Sequence, residues 1–279
     1  MIVMLPEWLT PLLSEQTVKL LEYLTNGKHL AWYASFRYTV IAAVAGGLLA
    51  VVFGLLGASL KQSKWAPLRW IGNIYTTMVR GIPDVLFLLF FPLAFEQFVE
   101  WMWAYQSCTP EERAMATGWP LCDNAQWLLS STEYLILACF SFGIVYGAFA
   151  ANVIYGAMRA VPKGQLEAAH AFGFSSSQVF WHFQVRQMWV YALPGLSNVW
   201  LSLIKATSLL SLLQIVDIVQ WAGRLGAPNY LPMAGLVHPD WRWKYYFVLF
   251  LLYILMTYLS ERFFAYLQKR ASRGMVRAS

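Results

Sequence analysis

Two long runs without a charged residue, Tyr38–Leu60 and Tyr134–Met158, constrain this chain more than any other feature. A helix rises about 1.5 Å per residue, so each run covers the roughly 30 Å of a bilayer's hydrocarbon core. Three further runs read the same way: Trp70–Phe95, interrupted by Arg80 and Asp84, a stretch from Met188 to Lys205, and Tyr245 to about Leu267. The reading is an all-α integral membrane protein of about five transmembrane helices. With 59% hydrophobic and only 12% charged residues among 279, no room remains for a second folded unit.

The span pattern divides the chain into a segment over 1–35, a membrane domain over 36–268 and a basic tail over 269–279. The N-terminal stretch has no positively charged leader, and Pro6, Glu7 and Pro11 interrupt any apolar core a signal peptide would need. Leu13, Thr17, Leu20, Leu21 and Leu24 recur at helical spacing, with Glu15 four residues before Lys19. This predicts an amphipathic helix lying on the membrane surface or packed against the bundle.

Five spans put the two ends on opposite faces, so the loops fall into two sets. One holds twelve Lys and Arg, among them Lys61, Lys64, Arg69, Arg159, Lys163, Arg186, Arg262, Lys269 and Arg270; the other holds seven and most of the acids. Positive charge marks the cytoplasmic side. The N-terminus and the loops Glu96–Glu133 and Asp217–Lys244 are then external, and the C-terminus is internal. The net charge of +6 belongs to this asymmetry and not to nucleic-acid binding. Trp101, Trp103, Trp119, Trp127, Trp221, Trp241 and Trp243 crowd the external segments, as interfacial anchors or, alternatively, as an aromatic cage. Cys108 and Cys122 share one external loop and are candidates for a disulfide, while Cys139 lies within the third span as a small packing residue.

The connection from Arg159 to Gln187 is longer than a simple turn requires. Gln165-Leu166-Glu167-Ala168-Ala169-His170-Ala171-Phe172 is rich in helix formers, Gly173 breaks it, and Ser175, Ser176 and Ser177 can cap a second helix with Val179, Phe180 and Phe183 on one face. Glu167-Ala168-Ala169 followed by Gly173 resembles the EAA loop of the permease subunits of bacterial ABC importers. The resemblance extends through Val161-Pro162-Lys163-Gly164, Tyr191-Ala192-Leu193-Pro194-Gly195, Leu203-Ile204-Lys205-Ala206-Thr207-Ser208-Leu209 and Arg80-Gly81-Ile82-Pro83-Asp84. Together these segments are similar to the polar amino acid branch, in particular to membrane subunits of histidine, lysine, arginine and ornithine importers, over roughly Gly143 to Asp217.

The resemblance implies a type I importer permease fold in the bacterial inner membrane, with a cytoplasmic two-helix loop that docks onto an ATPase subunit through Glu167, Ala168, Ala169 and Gly173. It implies as partners a second permease subunit, related or identical, two ATPase subunits that bind ATP and magnesium, a periplasmic substrate-binding protein and an amino acid substrate. The chain has no GxxxxGK[ST] phosphate loop, which fits ATP bound elsewhere and a non-catalytic role. It departs from the family after the loop, where Phe183-Gln184-Val185-Arg186 lacks the usual proline; the second loop helix is therefore expected to continue toward the fourth span.

Ionisable and polar residues within spans are pathway candidates by default. Asp84, Asn198, Ser202 and Lys205 are the set read here, Asp84 facing a cationic group and Lys205 a carboxylate. The competing structural readings are an Asp84–Arg80 pair one turn apart and Lys205 at a subunit contact. Pro194-Gly195 is expected to bend the fourth span, and Gly46, Gly47, Gly54 and Gly57 to allow close helix packing. The rival function is an ion-coupled secondary transporter or channel, which calls for coupling carboxylates and an internal repeat; Asp84 alone fits. His29, His170, His182 and His238 are scattered over different predicted loops without metal-ligand spacing, so neither a metal site nor an intramembrane enzyme is predicted.

Overall fold

The computed structural model describes residues 15–213, 215–231 and 236–273. Leu13 and the rest of the first fourteen residues, like the end of the basic tail with Arg277, lie outside the described residues. The elements are α1 (Glu15–Leu24), α2 (Gly27–Gln62), α3 (Ala66–Gly81), α4 (Asp84–Ser107), α5 (Pro110–Met115), α6 (Ser131–Ala160), α7 (Lys163–Ala171), α8 (Ser176–Gln178), α9 (Val185–Ala206), α10 (Ile218–Gly226) and α11 (Arg242–Ala271). Among the described residues, five helical segments are long and apolar enough to cross a membrane: α2, α4, α6, the continuous stretch Ser176–Leu213 and α11.

Helix α6 is the centre of the bundle. Its small residues Ala138, Ala148, Ala150 and Ala151 are fully buried, and Phe142, Val145 and Tyr146 join them in the core. Helix α2 lies along it so closely that a Cβ at Gly54 would stand 2.8 Å from Ala150 Cβ. The small-residue packing expected of the first span is therefore present; among membrane helices close approach replaces the hydrophobic effect as the source of attraction. Helix α11 sits on the outside against α9 and α10, with Phe247, Phe250, Leu251, Leu255 and Leu259 half or more exposed, a face suited to lipid.

Two boundaries differ from the sequence reading. Residues 27–35 already belong to the helix of the first span, because α2 starts at Gly27, where the Asn26 side chain accepts from His29 N at 2.9 Å and caps the helix. The run Trp70–Phe95 is not one span but two helices. Gly81-Ile82-Pro83 breaks it, since the residue before a proline is pushed out of the helical region, and Ile82 is extended at φ −91°, ψ 132°. The second span is α4, which continues through Glu96 and Glu100 to Ser107, and α3 is an amphipathic helix packed on α2 and α6.

The ends opposite the α7 loop are tied down by long-range contacts. Buried Glu100 accepts from Trp119 Nε1 at 2.6 Å and Trp127 N at 2.7 Å, folding the 108–130 loop back on α4. Cys108 and Cys122 are joined in that loop, with Cα atoms 6.0 Å apart. His29 and His238, far apart in sequence, both contact the ring of Tyr23; Tyr23 and Tyr245 hydrogen-bond His238 and His29 at 3.0 and 2.7 Å.

Candidate functional site

The break between α3 and α4 has a chemical consequence. It places Arg80 in the last turn of α3 and Asp84 in the first turn of α4, each at the helix end whose dipole favours its charge. Both line one cavity of about 430 Å³, together with Tyr146, Phe149, Asn152 and Val153 of α6 and Gly195, Asn198, Val199 and Ser202 of α9. Three of the four pathway residues read from the sequence, Asp84, Asn198 and Ser202, thus meet at one place.

Asp84 does not pair with Arg80 within 4 Å; its Oδ2 accepts instead from the Tyr146 hydroxyl at 2.7 Å. The Arg80 guanidinium lies over the Phe149 ring, 5.2 Å from its centroid. Ser202 Oγ donates to Asn198 O at 3.0 Å, and Tyr146 OH also reaches Ser202 O at 3.4 Å. Lys205 is exposed in the last turn of α9 and does not line the cavity. Three residues after Ser202, it continues the α9 stripe 195, 198, 199, 202 on the same helix face, one turn beyond the last residue that lines the cavity.

Gly195 sets how near α9 comes to α6. A Cβ there would stand 2.6 Å from Val153 Cγ1, so any larger residue must push the two walls apart. Sequence reasoning missed the α6 wall. Tyr146, Phe149 and Val153 recur at i, i+3 and i+7 with Asn152 beside them, a polar-marked stripe that could have been read in the third span.

In the connection between the third and fourth spans, α7 runs from Lys163 to Ala171 and ends at Gly173, the one described glycine in the left-handed region, with φ 87°. Ser175 caps the next turn through a reciprocal pair with Gln178. From there the chain stays helical through a π stretch, Val179–Gln184, into α9. The second loop helix does continue into the fourth span, because no proline interrupts it. Ala169 and Val179 are buried at the base of this hairpin and the Phe174 and Phe183 rings meet edge to face at 5.1 Å. Glu167, Ala168 and Gly173 are exposed, and Phe172 at the tip is 84% exposed. The hairpin is thus packed within itself and presents a carboxylate, a small residue and an aromatic ring outward.

Residues 50–273 match the family described as the binding-protein-dependent transport system inner membrane component. The histidine/lysine/arginine/ornithine transport system permease protein HisQ of Escherichia coli (strain K12) is 32% identical over 246 residues, covering 86% of this chain and 92% of the relative. The arginine ABC transporter permease protein ArtQ of the same strain is 27% identical over 242 residues, with 84% and 92% covered. The nopaline transport system permease protein NocQ of Agrobacterium fabrum is 30% identical over 244 residues, with 85% and 89% covered. Among solved structures, an amino acid ABC transporter with histidines superposes with a TM-score of 0.62 at 17% identity over 86% of this chain and 93% of that one, a likeness of fold. The five long apolar helices are those of a multi-pass inner membrane protein, and the chain belongs to the family of binding-protein-dependent transport system inner membrane components.

Proposed function

We propose that this permease subunit imports basic or polar amino acids, that the cavity between α4, α6 and α9 lies on the path, and that the α7 hairpin carries motion from an ATPase. The observation that carries the reading is the cavity itself, where Arg80 and Asp84 present opposite charges without neutralising each other, beside Asn152, Asn198 and Ser202. A zwitterionic amino acid needs such a pair. The names of the relatives, which transport histidine, lysine, arginine, ornithine and nopaline, support the substrate class.

In this reading the chain itself is non-catalytic. ATP and magnesium bind to two ATPase subunits, a second permease subunit of the same or a related kind completes the pore, and a periplasmic binding protein delivers the ligand. The N-terminus and the disulfide loop are periplasmic and the α7 hairpin and basic tail cytoplasmic, as the Lys and Arg distribution supports. Exposed Glu167 and Ala168 offer the ATPase a charge and a close approach, and Gly173 sets the turn.

The test is uptake of arginine, histidine, lysine and glutamine into vesicles holding the reconstituted complex, with Glu167→Lys and Gly173→Pro beside the native chain. ATP-dependent uptake lost in both inserted variants is the expected result. Uptake that persists without ATP would establish the ion-coupled alternative instead.

A further inference from the structure

Behind the cavity wall, outside the cavity itself, stands a charged residue that the transport reading leaves without a role. Lys61, at the cytoplasm-proximal end of α2, donates through Nζ to Asn152 Oδ1 and, at 3.4 Å, to Thr76 Oγ1, and its ammonium lies 5.1 Å from the centre of the Tyr155 ring. An ammonium group carries only donors, so the Asn152 oxygen must face Lys61 and the amide NH₂ must face away from it. Asn152 Nδ2 has one other contact, a long 3.5 Å approach to Ala148 O, which uses at most one of its two N–H groups. The other is left for whatever occupies the cavity that Asn152 lines.

Arg80 stands at the same wall. Its guanidinium is held against Phe149, one turn before Asn152, and is not neutralised by Asp84, whose Oδ2 is taken by Tyr146. Among the described residues, Asp84 is the only acid lining the cavity. A planar guanidinium fork and a directed amide N–H, both donors and both lacking an internal acid, match a carboxylate.

We propose that Arg80 and Asn152 form a subsite for the substrate's α-carboxylate, and that Lys61 is a positioning residue that fixes the Asn152 amide with its N–H groups toward the ligand. This rests on the amino-acid reading of the cavity and adds which end of the substrate goes where. Asp84 then takes a cationic group of the same molecule.

The measurement is equilibrium binding of radiolabelled ligands to the purified permease–ATPase complex without the external binding protein. The probes are L-arginine against agmatine and L-histidine against histamine, each pair differing by the carboxylate. The native complex is expected to favour the amino acid over its amine at least tenfold. Lys61→Met is expected to cut that preference severalfold by weakening the amino acid and not the amine, and Lys61→Arg, which keeps a donor for Asn152 Oδ1, to restore it. Asn152→Asp keeps the acceptor for Lys61 and hence the packing, but removes the donor; it is expected to abolish the preference and so reports even if Lys61→Met fails to assemble. Native discrimination below twofold, or variants that weaken amino acid and amine alike, overturns the carboxylate subsite while leaving the cavity reading intact. A native complex that binds none of the four ligands overturns both.

Discussion

The hydroxyl of Tyr146 donates to Asp84 Oδ2 at 2.7 Å and is the tie between the central helix and the first turn of α4. Tyr146 is 3% exposed, so little of its side chain meets bulk solvent. Tyr146→Phe leaves a half-buried carboxylate short of a donor, a loss of about 1–3 kcal/mol for a bond to a charged group. The expected outcome is a lower thermal midpoint together with a raised KM for uptake, because Asp84 loses its fixed orientation; an unchanged KM would mean that Asp84 does not meet the substrate.

Gly195 is the point where the walls of the cavity touch. Adding the side chain of valine drives a Cβ to within 2.6 Å of Val153 Cγ1, and overpacking of this kind costs about 1–3 kcal/mol. Gly195→Val is expected to lower both thermal stability and the rate of uptake, and Val153→Ala in the same chain to recover part of each. Recovery of stability without recovery of uptake would place the defect in the cavity's shape and not in the fold.

The first and third spans were legible because a bilayer sets a minimum length and neither run holds a charge. The second was misread for a physical reason: hydropathy averages over Gly81-Ile82-Pro83, whereas backbone sterics at Ile82 do not. The α7 hairpin was legible through local signals, a glycine and serine caps, that need no tertiary contact. The cavity was legible only in part. Its residues come from positions 80–84, 146–153 and 195–202, and their meeting depends on how closely α6 and α9 approach, which one chain read in order does not display. The contacts Glu100–Trp119 and Tyr23–His238 were invisible for the same reason.

Asp217, in the connection after the fourth span, caps α10 through Oδ1 while its Oδ2 is buried without a partner, as is Gln220 Oε1. Burial pushes its carboxyl up from 3.8 to about 6. The folded state therefore keeps a proton that the unfolded chain has already released, so this group's contribution falls as pH rises from about 4 to about 6, by roughly 3 kcal/mol. Asp217→Asn retains the cap and supplies N–H donors in place of the unpartnered oxygen. It is expected to raise the thermal midpoint at pH 7.5 and to leave it nearly unchanged near pH 4; an equal shift at both values would refute the linkage.

The Cys108–Cys122 bridge closes a loop of sequence separation 14, and in the chain-entropy view such a closure stabilises the folded loop by about 3 kcal/mol. Because Glu100 still holds Trp119 and Trp127, the double variant Cys108→Ser, Cys122→Ser is expected to remain folded yet to be cleaved faster by protease added on the loop's side. Adding Glu100→Gln should then release the loop altogether, since the two restraints act on the same segment and each holds it when the other is lost.

Gly173 and Gly164 form a natural control pair in the α7 hairpin. A Cβ at either position meets nothing within 4 Å, so substitution by alanine changes no packing in this chain. They differ in backbone: Gly173 sits at φ 87°, whereas Gly164 lies within α7. Gly164→Ala replaces a poor helix former with the best one and is expected to be neutral or stabilising by up to about 1 kcal/mol. Gly173→Ala forces an L side chain into the left-handed region at about 1–2 kcal/mol, which the exposed tip relieves by turning differently and redirecting Phe172 and Glu167. Uptake and binding-protein-stimulated ATP hydrolysis should therefore fall in Gly173→Ala and not in Gly164→Ala, with both chains inserted equally. Equal activity in the two would mean that the hairpin's turn does not set the contact with the ATPase.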